Sequence, residues 1–177
     1  MNSKRLIVGE LRTNCYILEK NNKCLIIDPG DNFEYIKANI NKIVVGIIVT
    51  HYHFDHIGAL NNCLDYYNTK VYDYKNLNIG HNKIEDFEFE VIYTPGHKND
   101  LISIYFKETN ALYCGDFIFK NSIGRCDLKE GDFNKMKKSI KNILEQIPSN
   151  TIIYPGHGNT TTLKDEIKML KYYINIF

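Results

Sequence analysis

The chain has 177 residues, of which 44% are apolar and 24% charged, as is ordinary for one globular domain. Its formal net charge of +1 gives no reason to expect a nucleic acid or an anionic membrane surface as a partner. No stretch approaches the length of a transmembrane helix, and the N-terminal segment is too poor in apolar residues for a signal peptide. We therefore expect a cytoplasmic protein that forms a single domain over residues 1–177.

Cysteine usage argues against two kinds of stabilised small fold. The five cysteines are scattered, odd in number and never in a C-x-x-C pair, which disfavours both a disulfide framework and a zinc ribbon. We expect reduced, partly buried thiols. The residues concerned are Cys15, Cys24, Cys63, Cys114 and Cys126.

The first half of the chain predicts short strands that end at chain-breaking residues. Apolar runs predict strands over 6–8, 15–18 and 24–27, and the third ends at Asp28-Pro29-Gly30. Asp31 as N-cap and Glu34 as its capping-box partner predict a helix to about residue 41. The run 43–49, rich in β-branched residues, predicts a strand buried on both faces. A helix beginning near residue 58 and a strand over 71–74 follow.

The second half begins with an irregular loop over 75–86, in which His81 is expected to be solvent-exposed. Strict alternation of apolar and polar residues predicts a half-exposed strand over 87–93. Further strands are expected over 101–106, 110–114 and 151–154. Residues 116–132 predict a long loop. Asp132 should cap an amphipathic helix that Pro148 ends, and Thr162 with Asp165 should cap a closing helix.

Three histidines and an aspartate directly follow the buried strand, in the pattern H-x-H-x-D-H. They are His51, His53, Asp55 and His56. A lone histidine at such a place is more often a hydrogen-bonded structural residue than a metal ligand. Four such residues within six positions instead indicate a metal site, because neutral imidazole and carboxylate suit zinc, iron or manganese and none is a natural core residue.

Three later strands also end directly before a residue that could bind a metal, namely His97, Asp116 and His157. Strand ends at one edge of a sheet can lie close together, so all seven side chains could meet in one pocket. Seven ligands are too many for one tetrahedral ion. They suit two ions about 3.5–4 Å apart that share a carboxylate and a water or hydroxide. The number of ligands therefore predicts a binuclear centre.

Longer motifs around these residues resemble a known family. They are Thr94-Pro95-Gly96-His97, Gly115-Asp116-Phe117-Ile118-Phe119, Ile123-Gly124-Arg125-Cys126-Asp127-Leu128 and Tyr154-Pro155-Gly156-His157-Gly158. Together with H-x-H-x-D-H after a hydrophobic strand, they resemble the metallo-β-lactamase fold superfamily and, within it, the glyoxalase II-like branch. The resemblance implies an α+β fold, the αββα sandwich, in which two mixed sheets pack face to face with helices on both outer faces.

The resemblance also assigns roles to individual residues. It implies that His51, His53 and His97 hold one metal, that Asp55, His56 and His157 hold the other, and that Asp116 bridges the two. It places a supporting carboxylate at Asp28, which the sequence alone allows as either a turn residue or an acceptor for a metal-bound imidazole. It also places Arg125 and Asp127 in a loop beside the site, either touching the substrate or only fixing the loop.

Two departures from the family pattern bear on specificity. After the histidine at position 97 the family usually has threonine and then a small residue, whereas this chain has Lys98-Asn99-Asp100, which should alter the pocket wall or the hydrogen bonding around His97. Full-length glyoxalase II enzymes also carry a C-terminal helical domain that helps to bind glutathione, and here a single closing helix follows His157. Glutathione specificity is therefore left open.

These features predict a metal-dependent hydrolase with two divalent ions, zinc in preference to iron or manganese. A metal-bridging hydroxide would attack a thioester or ester carbonyl, Asp55 would orient that nucleophile, and an S-acylglutathione such as S-lactoylglutathione would be the leading small-molecule substrate. The alternatives are a persulfide dioxygenase with a single iron, a lactonase and, from another class, a non-enzymatic metal-binding protein. The sequence does not indicate an oligomeric state.

Overall fold

The computed structural model describes residues 1–175. The strands are β1 (Asn2–Val8), β2 (Thr13–Lys20), β3 (Lys23–Ile27), β4 (Ile43–Ile48), β5 (Val71–Tyr72), β6 (Gly80–Ile84), β7 (Phe87–Tyr93), β8 (Ile102–Phe106), β9 (Ala111–Gly115), β10 (Ile118–Phe119), β11 (Ser122–Ile123), β12 (Ile152–Pro155) and β13 (Thr161–Thr162). The helices are α1 (Phe33–Ala38), α2 (Phe54–Ile57), α3 (Leu60–Tyr67), α4 (Phe133–Gln146) and α5 (Leu163–Asn175), and a 3₁₀ turn covers Lys107–Thr109.

The strands form two mixed sheets and a small hairpin. The first sheet has the order β1-β2-β3-β4-β5, with antiparallel pairs at β1-β2-β3 and parallel pairs at β3-β4-β5. The second has the order β13-β12-β9-β8-β7-β6 and is antiparallel except where β12 pairs with β9. Strands β10 and β11 pair only with each other.

Three apolar layers hold the two sheets and the helices together. Leu18 and Leu25 of the first sheet and Phe89 and Ile104 of the second belong to a core between the sheets. Because successive side chains of a strand point to opposite faces, the alternate residues form two outer cores, one with α1 and α3 and the other with α4 and α5. The helices therefore cover both outer faces, and the predicted αββα sandwich is confirmed.

Several predicted elements have different boundaries in the structure. The prediction that Asp31 caps the first helix is wrong: the N-cap residue is Asn32, in a left-handed conformation at φ 56°, and Asp31 Oδ1 instead accepts a hydrogen bond from the Asn32 N–H at 2.6 Å. That helix ends at Ala38, three residues before the predicted end. The N-terminal caps of the last two helices were predicted correctly, since Asp132 accepts from the Lys135 N–H and Thr162 from the Asp165 N–H.

Two segments that were predicted to be loops contain strands. Residues 75–86 include the edge strand β6, on which His81 is exposed, as expected, but paired with Glu90 of β7. The predicted loop 116–132 contains the β10-β11 hairpin. The loop prediction failed at β6 because its residues are polar, and an edge strand can leave such side chains in solvent while its backbone pairs with one neighbour.

The described residues also bear on the cysteines and on membrane insertion. Cys15, Cys24, Cys63 and Cys114 are buried, Cys126 is partly buried, and all five are unpaired, as expected. Between residues 1 and 175 no helix combines the length and apolar character needed to cross a membrane.

Candidate metal centre

All seven residues that the sequence predicts as metal ligands lie together where strands of both sheets end. His51 and His53 follow β4, His97 follows β7, Asp116 follows β9 and His157 follows β12. Asp55 and His56 lie on the four-residue helix α2, which begins four residues before the helix that the sequence predicted near residue 58. Backbone hydrogen bonds join the two sheets at this edge, from the Asn14 N–H to the Gly156 carbonyl at 2.7 Å and from the Ile102 N–H to the Thr50 carbonyl at 3.0 Å.

Three histidines form one half of the cluster, which we call the first triad (His51, His53 and His97). His51 Nε2 lies 3.2 Å from His53 Nδ1, and His97 Nε2 lies 2.9 Å from the same atom. The ligand atoms of the triad lie within 4.8 Å of one another. Three imidazole nitrogens that converge in this way match the His₃ set of a catalytic zinc site.

The other half of the cluster, which we call the second triad, consists of Asp55, His56 and His157. Asp55 Oδ2 lies 3.1 Å from His157 Nε2 and 3.6 Å from His56 Nε2. These ligand atoms also lie within 4.8 Å of one another. A carboxylate with two imidazoles is a second donor set suited to a divalent ion.

Asp116 lies between the two triads. Its Oδ1 is 3.3 Å from His56 Nε2, whereas its Oδ2 is 3.5 Å from His97 Nε2 and 3.5 Å from His157 Nε2. One carboxylate therefore faces ligands of both triads, which is the position that a bridging ligand requires.

Two buried atoms indicate that the cluster is built to bind a cation. His56 Nε2 and Asp116 Oδ1 are buried and face each other at 3.3 Å, but neither makes a hydrogen bond of good geometry with any described residue. Unpaired buried polar atoms are costly and therefore rare in native proteins. Both atoms point into the cluster, so a bound metal ion would satisfy them, and the residues present fit such an ion.

In three of the histidines, the ring nitrogen that points away from the cluster has a hydrogen-bond acceptor, which sets the tautomer of the ring. His56 Nδ1 lies 2.9 Å from Asp28 Oδ2, His97 Nδ1 lies 2.8 Å from the Arg125 carbonyl oxygen, and His157 Nδ1 lies 3.1 Å from that of Leu11. An N–H at each Nδ1 leaves the Nε2 lone pair directed into the cluster, as metal coordination requires.

Asp28 also reaches His51 through Thr50. The Thr50 N–H donates to Asp28 Oδ1 at 2.8 Å, and the Thr50 hydroxyl donates to Asp28 Oδ2 at 2.6 Å. Because that hydroxyl proton is used, the Thr50 oxygen can accept from His51 Nδ1, which lies 3.1 Å away. The buried Asp28 carboxylate thus orients a histidine of each triad, in the supporting position that the sequence allowed.

Burial and neighbouring charges shift the pKa values in the metal-free cluster. Burial, with the neighbouring histidines, holds the pKa of His51 well below its usual value. Burial also opposes protonation of His56, but Asp28 and Asp116 outweigh it and raise the pKa of His56 to about 10. Against the effect of burial, the hydrogen bond from His157 lowers the pKa of Asp55, and His56 lowers that of Asp116. Both carboxylates are therefore ionised at neutral pH.

Glycines let the backbone approach the cluster closely. A Cβ at Gly156 would lie 2.2 Å from Asp116 Oδ1 and 2.7 Å from His56 Cε1. A Cβ at Gly124 would lie 1.8 Å from the Asp116 carbonyl oxygen, and one at Gly30 would lie 1.9 Å from that of Asp55. Glycine is required at these positions by the close approach of other residues, whatever their backbone conformation.

The residues that depart from the family pattern make contacts beside the first triad. Asp100 Oδ2 accepts hydrogen bonds from the Tyr52 N–H at 3.2 Å and from Lys98 Nζ at 3.0 Å. Tyr52 lies between His51 and His53 in the chain, so this carboxylate fixes the backbone that carries two members of the first triad.

Arg125 and Asp127 form an exposed ion pair, with Arg125 Nη2 lying 2.7 Å from Asp127 Oδ2. Only the backbone of Arg125 reaches the cluster, through the hydrogen bond that its carbonyl oxygen accepts from His97. Within this loop the Arg125 guanidinium is therefore paired with Asp127, and the contact to His97 is made by the main chain.

Sequence reasoning missed two buried residues that hold the turn of His157. Asn14 Nδ2 donates to the carbonyl oxygens of Pro155 and Gly158, at 2.9 Å in each case, and the Tyr16 hydroxyl donates to that of Pro155 at 2.6 Å. The only available signal was a polar residue, Asn14, within an otherwise apolar strand pattern.

Two mixed sheets packed face to face, with histidines and aspartates gathered at one edge, define a metal-binding protein of the αββα class. A family model described as the Metallo-beta-lactamase superfamily matches residues 8–77 and 65–157. The chain belongs to this superfamily.

Two curated relatives match almost the whole chain. The probable metallo-hydrolase YqgX of Bacillus subtilis (strain 168) is 31% identical in an alignment of 204 positions, gaps included, that covers 94% of each protein. The hydroxyacylglutathione hydrolase GloC of Haemophilus influenzae is 27% identical, over 94% of this chain and 95% of the relative.

Solved structures agree with the fold over a similar extent. The BLEG-1 B3 metallo-beta-lactamase has a TM-score of 0.92 at 29% identity, with 97% of this chain and 99% of that one covered. TTHA1623, solved in a di-iron-bound form, has a TM-score of 0.86 at 28% identity, with 93% and 97% covered.

Proposed function

We propose that this protein hydrolyses the thioester bond of an S-acyl thiol with two divalent metal ions, one at each triad and both contacting Asp116. As a member of the superfamily with relatives named metallo-hydrolase and hydroxyacylglutathione hydrolase, it is a metal-dependent hydrolase. The observation that carries the binuclear proposal is the position of Asp116, whose Oδ2 lies 3.5 Å from a histidine of each triad while its Oδ1 faces His56.

The bound ions would polarise the substrate carbonyl and lower the pKa of a coordinated water, from 15.7 to about 7 in the case of a single zinc. Asp55, ionised and held by the Thr13 hydroxyl at 2.9 Å, can accept a hydrogen bond from that water and orient it. Asp28 and the Arg125 and Leu11 carbonyls keep the histidine lone pairs directed into the cluster. The catalytic contribution of the chain is therefore to position ligands and nucleophile.

The thioester substrate is supported by a relative of matching length. GloC carries the name hydroxyacylglutathione hydrolase, and this chain covers 95% of it, so a C-terminal helical domain is not needed to match a relative of that name. For the metal, nitrogen and oxygen donors suit zinc, iron and manganese alike, and the di-iron form of TTHA1623 makes iron the alternative to zinc.

The proposal is tested by metal analysis coupled to a substrate panel. The purified protein should contain about two equivalents of metal by mass spectrometry, and it should hydrolyse thioesters in preference to lactones and β-lactams. Asp55→Ala and Asp116→Ala should abolish turnover while the circular dichroism spectrum stays that of a folded protein. Asp65→Ala, an exposed carboxylate on α3, is the matched control.

Near-normal activity of Asp55→Ala or Asp116→Ala would contradict the assigned roles. One equivalent of iron, with oxygen uptake in the presence of a glutathione persulfide, would favour a dioxygenase instead. Rates no greater than those of free metal ions across the whole panel would indicate a non-enzymatic metal-binding protein.

A further inference from the structure

A cavity of about 400 Å³ shares a wall with the second triad. It lies between the β1-β2 turn, the loop after β3 and the beginning of α2, and both Thr13 and Asp55 line it. The Thr13 hydroxyl donates to Asp55 Oδ2, the same oxygen that lies 3.1 Å from His157 Nε2. The volume of the cavity is within the range of about 300–1,000 Å³ that is usual for small-molecule sites.

Two large apolar side chains at this cavity are left uncovered by the described residues. Leu11 is 54% exposed and Phe54 is 75% exposed, and both line the cavity. Leu11 is held against the centre because its carbonyl oxygen accepts from His157 Nδ1, and Phe54 directly precedes Asp55 on α2. Exposed apolar surface beside a candidate centre is surface that an apolar ligand could remove from water.

The charges that line the cavity are all negative. Glu10, Asp31 and Asp55 contribute carboxylates, and none of the described residues that line it is a lysine, an arginine or a histidine. Arg12 belongs to the same turn and is exposed, but it does not line the cavity. A ligand group that carries a carboxylate would therefore meet the like charge of Glu10 and Asp31 without a cationic side chain in the lining, whereas an uncharged aliphatic chain would not.

We propose that this cavity binds an uncharged aliphatic acyl chain of the thioester substrate, so that the preferred substrates are S-acyl thiols with alkyl chains of several carbons. This inference rests on the proposed thioester hydrolysis and specifies the acyl group. Leu11 and Phe54 provide the apolar contacts, and Glu10 and Asp31 disfavour acyl groups that end in a carboxylate.

Binding can be measured separately from catalysis with S-alkyl thioethers of N-acetylcysteamine, which are neutral and lack the scissile carbonyl. Calorimetry on the zinc-loaded protein should show Kd falling about threefold for each methylene from S-ethyl to S-hexyl, slightly less than complete burial of a methylene would give. Phe54→Ala should weaken S-hexyl binding by about tenfold and flatten the dependence on chain length. Leu11→Ala should have a smaller effect in the same direction.

The control is Ile79→Ala, which removes an equally exposed apolar side chain outside the cavity and should leave the series unchanged. A thioether of the same length that ends in a carboxylate should bind at least about tenfold more weakly, and the double variant Glu10→Gln, Asp31→Asn should reduce that difference. Each of three results would overturn the inference. The first is that Kd for the wild type does not depend on chain length, and the second is that this dependence survives in Phe54→Ala and Leu11→Ala. The third is that the carboxylated thioether binds as tightly as the neutral one.

The same series in thioester form separates this inference from the proposed function. Thioethers that bind with the expected chain-length dependence, combined with no hydrolysis of the matching thioesters, would refute thioester hydrolysis but leave the cavity assigned as an alkyl-binding site. Hydrolysis at a rate independent of chain length would support the proposed function and refute the role of the cavity.

Discussion

Replacing Asp28 with asparagine should weaken metal binding at the second triad while leaving the protein folded. The buried Asp28 carboxylate accepts three hydrogen bonds, at 2.8 Å and 2.6 Å from Thr50 and at 2.9 Å from His56. Asparagine tolerates the left-handed backbone at position 28, where φ is 51°, and its oxygen can still accept from the Thr50 N–H. Its NH₂ group, however, would face the Thr50 hydroxyl and the His56 N–H, which are both donors.

The size of the effect follows from the contact that is lost. Removing the partner of a metal-bound histidine costs about 10–100-fold in metal affinity, or about 1.4–2.8 kcal/mol. The loss should fall mainly on the second triad, because His56 contacts Asp28 directly whereas His51 contacts it through Thr50.

The assay is a zinc titration of the metal-free protein against a competing fluorescent chelator, fitted to two sites. Asp65→Asn provides a matched exposed carboxylate on α3, which should behave as the wild type. If both sites of a folded Asp28→Asn protein kept Kd values within about twofold of the wild type, then Asp28 would not orient a metal ligand.

Four further predictions concern the same edge of the molecule. Gly156→Ala should reduce the bound metal from two equivalents to one or fewer, because its Cβ would lie 2.2 Å from Asp116 Oδ1. Gly80→Ala strains a backbone at φ 95°, but its Cβ meets no atom within 4 Å, so this control should keep both equivalents. With its pKa raised from 6.5 to about 10, His56 should lose a proton when metal binds at pH 8, and calorimetry in buffers of different ionisation enthalpy should detect at least one proton released per chain. The raised pKa also sets how the stability of the metal-free protein depends on pH. The contribution of His56 to the free energy of unfolding is complete below pH 6.5 and is lost as the pH rises towards 10. A free energy of unfolding that increased between these pH values would contradict this prediction. Asp100→Ala should lower the free energy of unfolding by about 1–3 kcal/mol, because it leaves the Tyr52 N–H without an acceptor. Asp100→Asn keeps an oxygen at this position and should lower the free energy of unfolding by less than half as much. Equal losses for the two variants in denaturant titrations would show that the hydrogen bond is unimportant.

The fold class could be predicted because its determinants are local and repeated. Continuous apolar runs such as 43–49 have no stable position outside a covered sheet, and most of the predicted strands occur within a few residues of their expected boundaries. The helix cap at Asp132 was also predictable, since a capping side chain acts within three residues of its own position. The single-domain organisation and the cytoplasmic location stay predictions.

Two of the predictions failed for different reasons, one because of a contact between distant segments and the other because of the local backbone conformation. Strand β6 is polar and has little tendency to form a strand, and it is extended because its backbone pairs with β7 at the edge of the second sheet. Asp31 has the residue type of an N-cap, but the left-handed backbone at Asn32 prevents its side chain from reaching the first turn of α1. A tertiary contact therefore overrode the local signal at β6, whereas at Asp31 the backbone of the next residue decided the outcome.

The sequence by itself determined which side chains could bind metal, because histidine and aspartate directly after apolar strands have chemistry that a core residue lacks. It also determined their number, from which we predict two ions. Only the tertiary structure decided how these side chains are oriented. The acceptors for His97 and His157 are the backbone carbonyls of Arg125 and Leu11, and a carbonyl oxygen belongs to every residue. A backbone acceptor therefore cannot be recognised from the type of its residue. Its position is set only when the two sheets pack and bring distant segments of the chain to one edge.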